Sequence, residues 1–301
     1  MIKIEGKALG TYYLITCIGA EDVSLATEID SLLTQISEQF SIFDTTSQLY
    51  RINHNQHLPF TKEMIDVFNL SYKVSEATNG AFDITVAPLV ELWGFGKEKR
   101  ATVTDEMIDS VMQFVGYKKV KIEDGYLIKQ DSRMMLNFNA VAKGFAVDKV
   151  GEWLTTRGYH NYVVDIGGEV VTKGSKYGKK WKVGIQTPTQ TADGAIDAQY
   201  LFPLKNQAVA TSGSYRNYIE DEGIRYSHTI SPYTGRPLQN SVLSVSVIAS
   251  DCATADAFAT AFMVWGVDSS LLFLENNSGL AACFIYNDNG KLIMKKSPNF
   301  P

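Results

Sequence analysis

Cysteine is scarce in this chain. The three present, Cys17, Cys252 and Cys283, are odd in number, widely spaced and free of any C-x-x-C pair. That pattern excludes a disulfide framework and a cysteine-built zinc site, and each thiol reads as a small buried hydrophobe. Long apolar runs are missing as well: none approaches the ~20 residues that a membrane-spanning helix needs. The opening M-I-K-I-E-G-K-A-L-G is too polar for the apolar centre of a signal peptide. As it stands the chain reads as cytoplasmic, the alternative being an extracytoplasmic, membrane-anchored lipoprotein whose leader has been removed. There is no basic surplus either. The 28 Lys and Arg face 33 Asp and Glu, a net charge of −5, so nucleic acid is excluded as a general partner and only a local phosphate site remains open. Walker A, dinucleotide-fingerprint and nucleophile-elbow patterns are all absent.

What is present is an ordinary globular composition, 45% hydrophobic and 20% charged over 301 residues, enough to bury a large core without a covalent or metal staple. Along the chain, 10–18 reads as a strand. From 21 to 40, Val23, Ala26, Ile29, Leu33, Ile36 and Phe40 recur at helical spacing. A polar loop studded with aromatics follows over 40–53. Thr61 caps a second helix running to about Thr78, closed by Asn79-Gly80. The segment 80–96, G-A-F-D-I-T-V-A-P-L-V-E-L-W-G-F-G, reads as a shaped loop whose Phe82, Trp93 and Phe95 either stack on a planar ligand or fill the core. A helix over 104–115, a hairpin around Asp124-Gly125, a short strand over 134–138 and a helix ending at Gly158 come next. Tyr162 to Val171 reads as one strand interrupted by Gly167-Gly168, a bulge or a close approach. After a strand at 181–185, an exposed loop is expected over 187–194, then strands at 200–204 and 207–210. Mixed elements without regular βαβ alternation favour an α+β fold in a single unit of one or two lobes, with no linker.

The chemistry concentrates in 210–266. A-T-S-G-S-Y, R-Y-S-H-T-I-S-P-Y-T-G-R-P, a β-branched strand and A-D-A-F-A-T-A-F-M-V-W-G follow one another there. Asp256 and Thr260 are four apart in a helical segment, so a carboxylate and a hydroxyl share one face. Two hard oxygens on one face suit Mg²⁺; the alternative is an acid near a helix start with a core-facing threonine. N-F-N-A-V-A-K-G, where a strand enters a helix beside Lys143, has the outline of an anion site.

Eight segments in order then carry a resemblance: L-G-T near Leu9, S-I-F-D-T-T-S-Q-L-Y-R-I-N, G-A-F-D-I-T-V-A-P-L-V-E-L-W-G-F-G, N-A-V-A-K-G-F-A-V-D-K-V, D-I-G-G-E-V, A-T-S-G-S-Y, H-T-I-S-P-Y-T-G-R-P and A-D-A-F-A-T-A. Together, from about Gly6 to Ile285, they resemble the ApbE family of FAD:protein FMN transferases. The resemblance implies an α+β, T-fold-like architecture with a smaller second lobe. It implies Mg²⁺-dependent transfer of FMN from FAD to a threonine hydroxyl of an acceptor flavoprotein, with AMP leaving; some members hydrolyse FAD instead. A flavin-binding protein without turnover is the rival from another class. On this resemblance Asp256, Thr260 and the backbone carbonyl of Ala140 match the metal positions. Asn137, Lys143, Ala81, Phe82, Asp83, Leu9, Phe43, Ile230 and Ala259 match FAD contacts. Many relatives carry an acid in place of Asn137, and some a Glu in place of Lys143. His228 matches the general base, a role for which imidazole is suited near neutral pH, with Asp83 as the competing candidate. Ser212 reads as shaping the site.

Overall fold

A computed structural model describes residues 1–95, 103–187, 198–213, 218–221, 224–227 and 229–301. The organising element is an eight-stranded antiparallel sheet. Its strands are β1 (Ile2–Ala8), β2 (Thr11–Cys17), β5 (Tyr162–Ile166), β6 (Glu169–Lys173), β9 (Ala208–Gly213), β12 (Val242–Ala249), β13 (Ala281–Asp288) and β14 (Lys291–Lys296), paired in that order. Spatial order follows chain order throughout. The other strands form two-stranded hairpins: β3 (Val120–Glu123) with β4 (Tyr126–Lys129), β7 (Trp181–Thr187) with β8 (Ala198–Leu204), and β10 (Tyr218–Asp221) with β11 (Ile224–Ser227).

Side-chain alternation divides the sheet between two cores. Tyr13, Ile15, Val164, Ile166, Ala210, Val245, Val247 and Phe284 enter the main core. It is covered by α1 (Leu25–Phe40), α3 (Lys62–Ala77), α6 (Ala142–Thr156) and α7 (Cys252–Trp265). From the opposite face, Val170, Val209, Ile248, Ala281 and Cys283 meet Val183, Ile185, Phe202 and Leu204 of the β7–β8 hairpin. The three cysteines are free and buried, and no helix among the described residues is long and apolar enough to cross a membrane.

Several sequence expectations are corrected. The polar opening forms β1, an edge strand whose alternation is masked because only Ile4 is buried among its exposed lysines and glutamate. The first amphipathic helix starts at Leu25, four residues late; Val23 is fully exposed. Two short helices lie within expected loops: α2 (Gln48–Asn53), capped by the Ser47 hydroxyl, and α4 (Ala87–Leu92), with Pro88 in its first turn. Residues 134–138 join no ladder; the Asn53 side chain both donates to Leu136 C=O and accepts from Leu136 N–H at 2.8 Å, and Asn137 N–H donates to Ile84 C=O at 2.7 Å. Gly167 and Gly168, both at positive φ, make the turn between β5 and β6, not a bulge in one strand. The helical segment carrying Asp256 and Thr260 begins at Cys252, with Asp251 as N-cap. The exposed loop expected over 187–194 lies, past Thr187, outside the described residues.

Candidate active site

The site follows from one break in the sheet. β6 and β9 share only the pairs Val170–Val209 and Val171–Ala208. Beyond them the strands part, leaving Glu169 and the Gly167-Gly168 turn on one side and Thr211, Ser212 and Gly213 on the other. A cleft of about 900 Å³ occupies this opening, with Asp256 and Thr260 of α7 and Lys143 of α6 in its wall.

α7 is apolar almost all round and buried on nearly every face. Its alanines let neighbouring backbone approach closely. Asp256 is the exception in that stripe, 4% exposed, and a buried carboxylate needs partners. One is the Gly144 N–H, which donates to its Oδ2 at 3.1 Å. This contact depends on glycine: a Cβ at 144 would meet the carbonyl oxygen of Cys252 at 2.4 Å. The N-terminus of α7 is held by α6 in a second way. Asp148 accepts from Cys252 N–H at 2.8 Å and from Ala253 N–H at 2.9 Å. One turn beyond Asp256, the Thr260 hydroxyl pairs with the Ser212 hydroxyl at 2.9 Å. The first helical bond of α6 runs from Phe145 N–H to Val141 C=O, so the carbonyl of Ala140 lies just outside the ladder. Asp256, Thr260 and Ala140 thus line one cleft as carboxylate, hydroxyl and carbonyl oxygens, the donor chemistry of a hard divalent cation.

A residue that sequence reasoning missed completes the charge pattern. Glu169 accepts from the Lys143 ammonium through Oε1 at 2.6 Å. Its side chain is 3% exposed, and its Oε2 has no hydrogen-bond partner among the described residues. Burial pushes Glu169 up to about 7, against the pull of Lys143. Asp256 is also raised, by burial first, again against Lys143. Burial alone would lower Lys143, but Glu169 and Asp256 together hold it above its ordinary value. One ammonium beside two buried carboxylates leaves negative charge uncompensated, and the orphaned oxygen says the same in hydrogen bonds. The residues present therefore fit a bound cation. The only sequence signal for Glu169 was its place in D-I-G-G-E-V; that it faces a lysine 26 positions earlier is a product of the fold.

The remaining wall holds most of the expected flavin contacts. Phe43, Ala81, Phe82, Asp83, Asn137 and Ile230 all line the cleft. Asn137 is fixed by a turn in which its Oδ1 accepts from Asn139 N–H at 2.8 Å. Leu9 and Ala259 are not brought to the wall. Leu9 occupies the β1–β2 turn at φ 52° and packs against the main core, and Ala259 is wholly buried on α7. Asp83, raised by burial, has donors on both oxygens, one set from its own loop and one from Tyr117. Oδ1 accepts from Thr85 N–H at 2.7 Å and from the Thr85 hydroxyl at 2.6 Å, and Oδ2 accepts from Tyr117 N–H at 2.8 Å. Of the aromatics, Phe82 and Phe95 line the cleft. Trp93 is instead a tie, its indole N–H donating to Gly235 C=O at 2.7 Å. The loop 229–238 is bound to its surroundings at further points. Tyr233 donates to the carbonyls of Thr78 and Asn79 at 3.2 and 3.3 Å, and Arg236 pairs with Asp105. His228 lies outside the described residues, directly before Thr229 and Ile230 of this wall.

The ApbE family model matches residues 9–284. The chain belongs to the ApbE family. The FAD:protein FMN transferase of Vibrio cholerae serotype O1 is 37% identical over 299 residues, covering 96% of this chain and 89% of the relative. That of Haemophilus influenzae is 33% identical over 316 residues, covering 100% and 90%. Among solved structures, the flavin transferase ApbE from Vibrio cholerae superposes with a TM-score of 0.89 at 34% identity, over 99% of this chain and 97% of that one. The α+β sheet-and-helix arrangement described above is the ApbE-type fold.

Proposed function

We propose that this ApbE-family chain transfers the FMN half of FAD to a threonine hydroxyl of an acceptor flavoprotein, releasing AMP. The observation that carries the reading is convergence: residues from α6, α7, β6, β9 and the loops at 81–83, 137–140 and 229–232 meet in one cleft, with buried negative charge left over beside Asp256. A Mg²⁺ ion held by Asp256, Thr260 and the carbonyl of Ala140 would supply charge compensation at the pyrophosphate. Lys143, with two N–H groups beyond the one given to Glu169, is a donor for pyrophosphate oxygens, and Asn137 is a second polar contact. Phe43, Ala81, Phe82 and Ile230 bind the flavin and exclude water. His228 is assigned as general base: it takes the threonine proton as that oxygen bonds to the FMN phosphorus and the bond to the AMP phosphate breaks. Asp83, with three donors on its carboxylate, is suited to holding the 81–85 loop rather than to proton transfer.

The test is incubation with FAD and Mg²⁺, with and without a flavoprotein fragment bearing an acceptor threonine, following AMP and intact mass. An FMN phosphoester on the fragment, lost in Asp256→Ala and His228→Ala, is the expected result. AMP without a mass gain would replace transfer by hydrolysis to FMN and AMP. Uncleaved FAD would leave a flavin-binding protein.

A further inference from the structure

We propose that Glu169 is a positioning residue: it holds the Lys143 ammonium on the β6 side of the cleft and so keeps it off Asp256, leaving that carboxylate open to a divalent cation. This rests on the reading of the cleft given above and assigns a task to a residue which that reading does not use.

Three observations lead to it. First, the lysine begins one residue before Gly144, whose N–H is bound to Asp256, so its stem starts next to the carboxylate that must stay available. An ammonium on a flexible four-carbon stem is a mobile point charge, not fixed in direction by its own geometry. The charge of Asp256 already acts on Lys143. Secondly, the ammonium is found on Glu169 at 2.6 Å. Glu169 opens β6, a strand paired along its length with β5, so it offers a fixed anchor on the β6 side of the cleft. Thirdly, Glu169 is almost wholly buried and Oε2 is unpartnered among the described residues. Desolvating a carboxylate and leaving one oxygen unsatisfied is costly. Surface packing gives no reason to accept that cost; directing a cationic side chain does. Without the anchor, Lys143 would swing to Asp256 and compete with the metal for the same oxygens.

The experiment uses the full chain. Mg²⁺ binding is measured by isothermal titration calorimetry without FAD, for the parent protein, Glu169→Gln and the double variant Lys143→Gln/Glu169→Gln, with crystal structures of the parent and the single variant. Glu169→Gln is expected to bind Mg²⁺ about tenfold more weakly, roughly 1.4 kcal/mol, and to show Lys143 Nζ hydrogen-bonded to Asp256. The double variant, lacking the competitor, is expected to return to within about twofold of the parent. Unchanged Mg²⁺ affinity in Glu169→Gln with Lys143 in place overturns the proposal. So does a double variant as weak as the single one, which would make Glu169 a metal ligand itself. Should Glu169→Gln fail to fold, Glu169→Asp, charged but one methylene short of the ammonium, carries the same expectations. A parent protein that binds no Mg²⁺ also overturns the proposal. One that binds Mg²⁺ but transfers no FMN overturns the transferase reading alone.

Discussion

Replacing Gly144 by Ala sets two effects of opposite sign against each other. Gly144 lies in the first turn of α6, at a φ ordinary for any residue, and helix propensity favours Ala over Gly there by about 1 kcal/mol. The added Cβ, however, would lie 2.4 Å from the Cys252 carbonyl oxygen, 2.6 Å from its carbon and 2.8 Å from the Ala253 Cα. All three are backbone atoms at the start of α7 and have no rotamer by which to escape. Ordinary contact begins near 3.5 Å, so the two helices must separate by about 1 Å. Overpacking of this kind costs about 1–3 kcal/mol, and an unyielding partner puts it at the upper end, for a net loss of about 2 kcal/mol. The separation also breaks the 3.1 Å bond from Gly144 N–H to Asp256 and displaces the face carrying Asp256 and Thr260, a misplacement that costs a reaction about 10²-fold. Urea denaturation and the rate of FMN transfer read the two consequences. Gly279→Ala, at a site with nothing within 4 Å of the new methyl, serves as control and should stay within about 0.5 kcal/mol. If Gly144→Ala were stabilised by its propensity gain with an unchanged rate, the α6–α7 contact would not be what holds the face of α7 bearing Asp256 and Thr260 in place.

Asp148→Asn leaves one of the two α7 N–H groups without an acceptor and should cost about 2 kcal/mol in urea denaturation. Because burial lifts the Asp148 pKa to about 7 in the folded chain, from an ordinary 3.8, folding takes up a proton. That stabilising contribution is whole below about pH 4 and is lost as pH rises through 7, so the Asn variant should show a flatter stability profile across that range. Asp83→Asn keeps one acceptor oxygen but leaves the donors on the other side, Thr85 or Tyr117, unpaired; it should lower stability by about 1–3 kcal/mol and raise the KM for FAD, without abolishing the pH dependence of kcat that a general base imposes. Asn53→Ala removes both bonds to Leu136 and should cost about 2–4 kcal/mol, with faster hydrogen exchange along 134–138 as the local signature.

The fold class and long helices were legible because their signals are local. Thr61 caps α3 through its hydroxyl, and the α1 stripe of Ile29, Leu33, Ile36 and Phe40 is buried. Asp256 and Thr260 were legible for the same reason, one helical turn being enough to bring them together. What failed to show was whatever depends on pairing at a distance. β1 looks too polar until it is seen as an edge. Residues 134–138 look like a strand because Met134, Leu136 and Phe138 alternate inward, yet Leu136 is bonded by a side chain 83 positions earlier and Asn137 by the Ile84 carbonyl, not by a neighbouring strand. The Lys143–Glu169 pair is hidden likewise, since neither residue type nor local spacing marks an acid that will meet a lysine on the helix packed against its strand. Asp83 is the converse: its family motif pointed to chemistry, whereas Thr85, two residues on, already marked a turn that uses the carboxylate.

The ties on loop 229–238 have a consequence for traffic through the cleft. The Trp93 indole, the Tyr233 phenol and the Arg236–Asp105 pair bind that loop to the end of α3, to α4 and to the start of the following helix, Asp105–Met112. Within itself it is closed by bonds from Ser231 N–H to Arg236 C=O and from Leu238 N–H to Thr229 C=O. These ties couple the side of the cleft bearing Ile230 and Pro232 to the side bearing Ala81 and Phe82, like the two halves of one jaw. Tyr12 and Leu14 of β2 and Leu201 of β8, which line the same cleft, stand exposed.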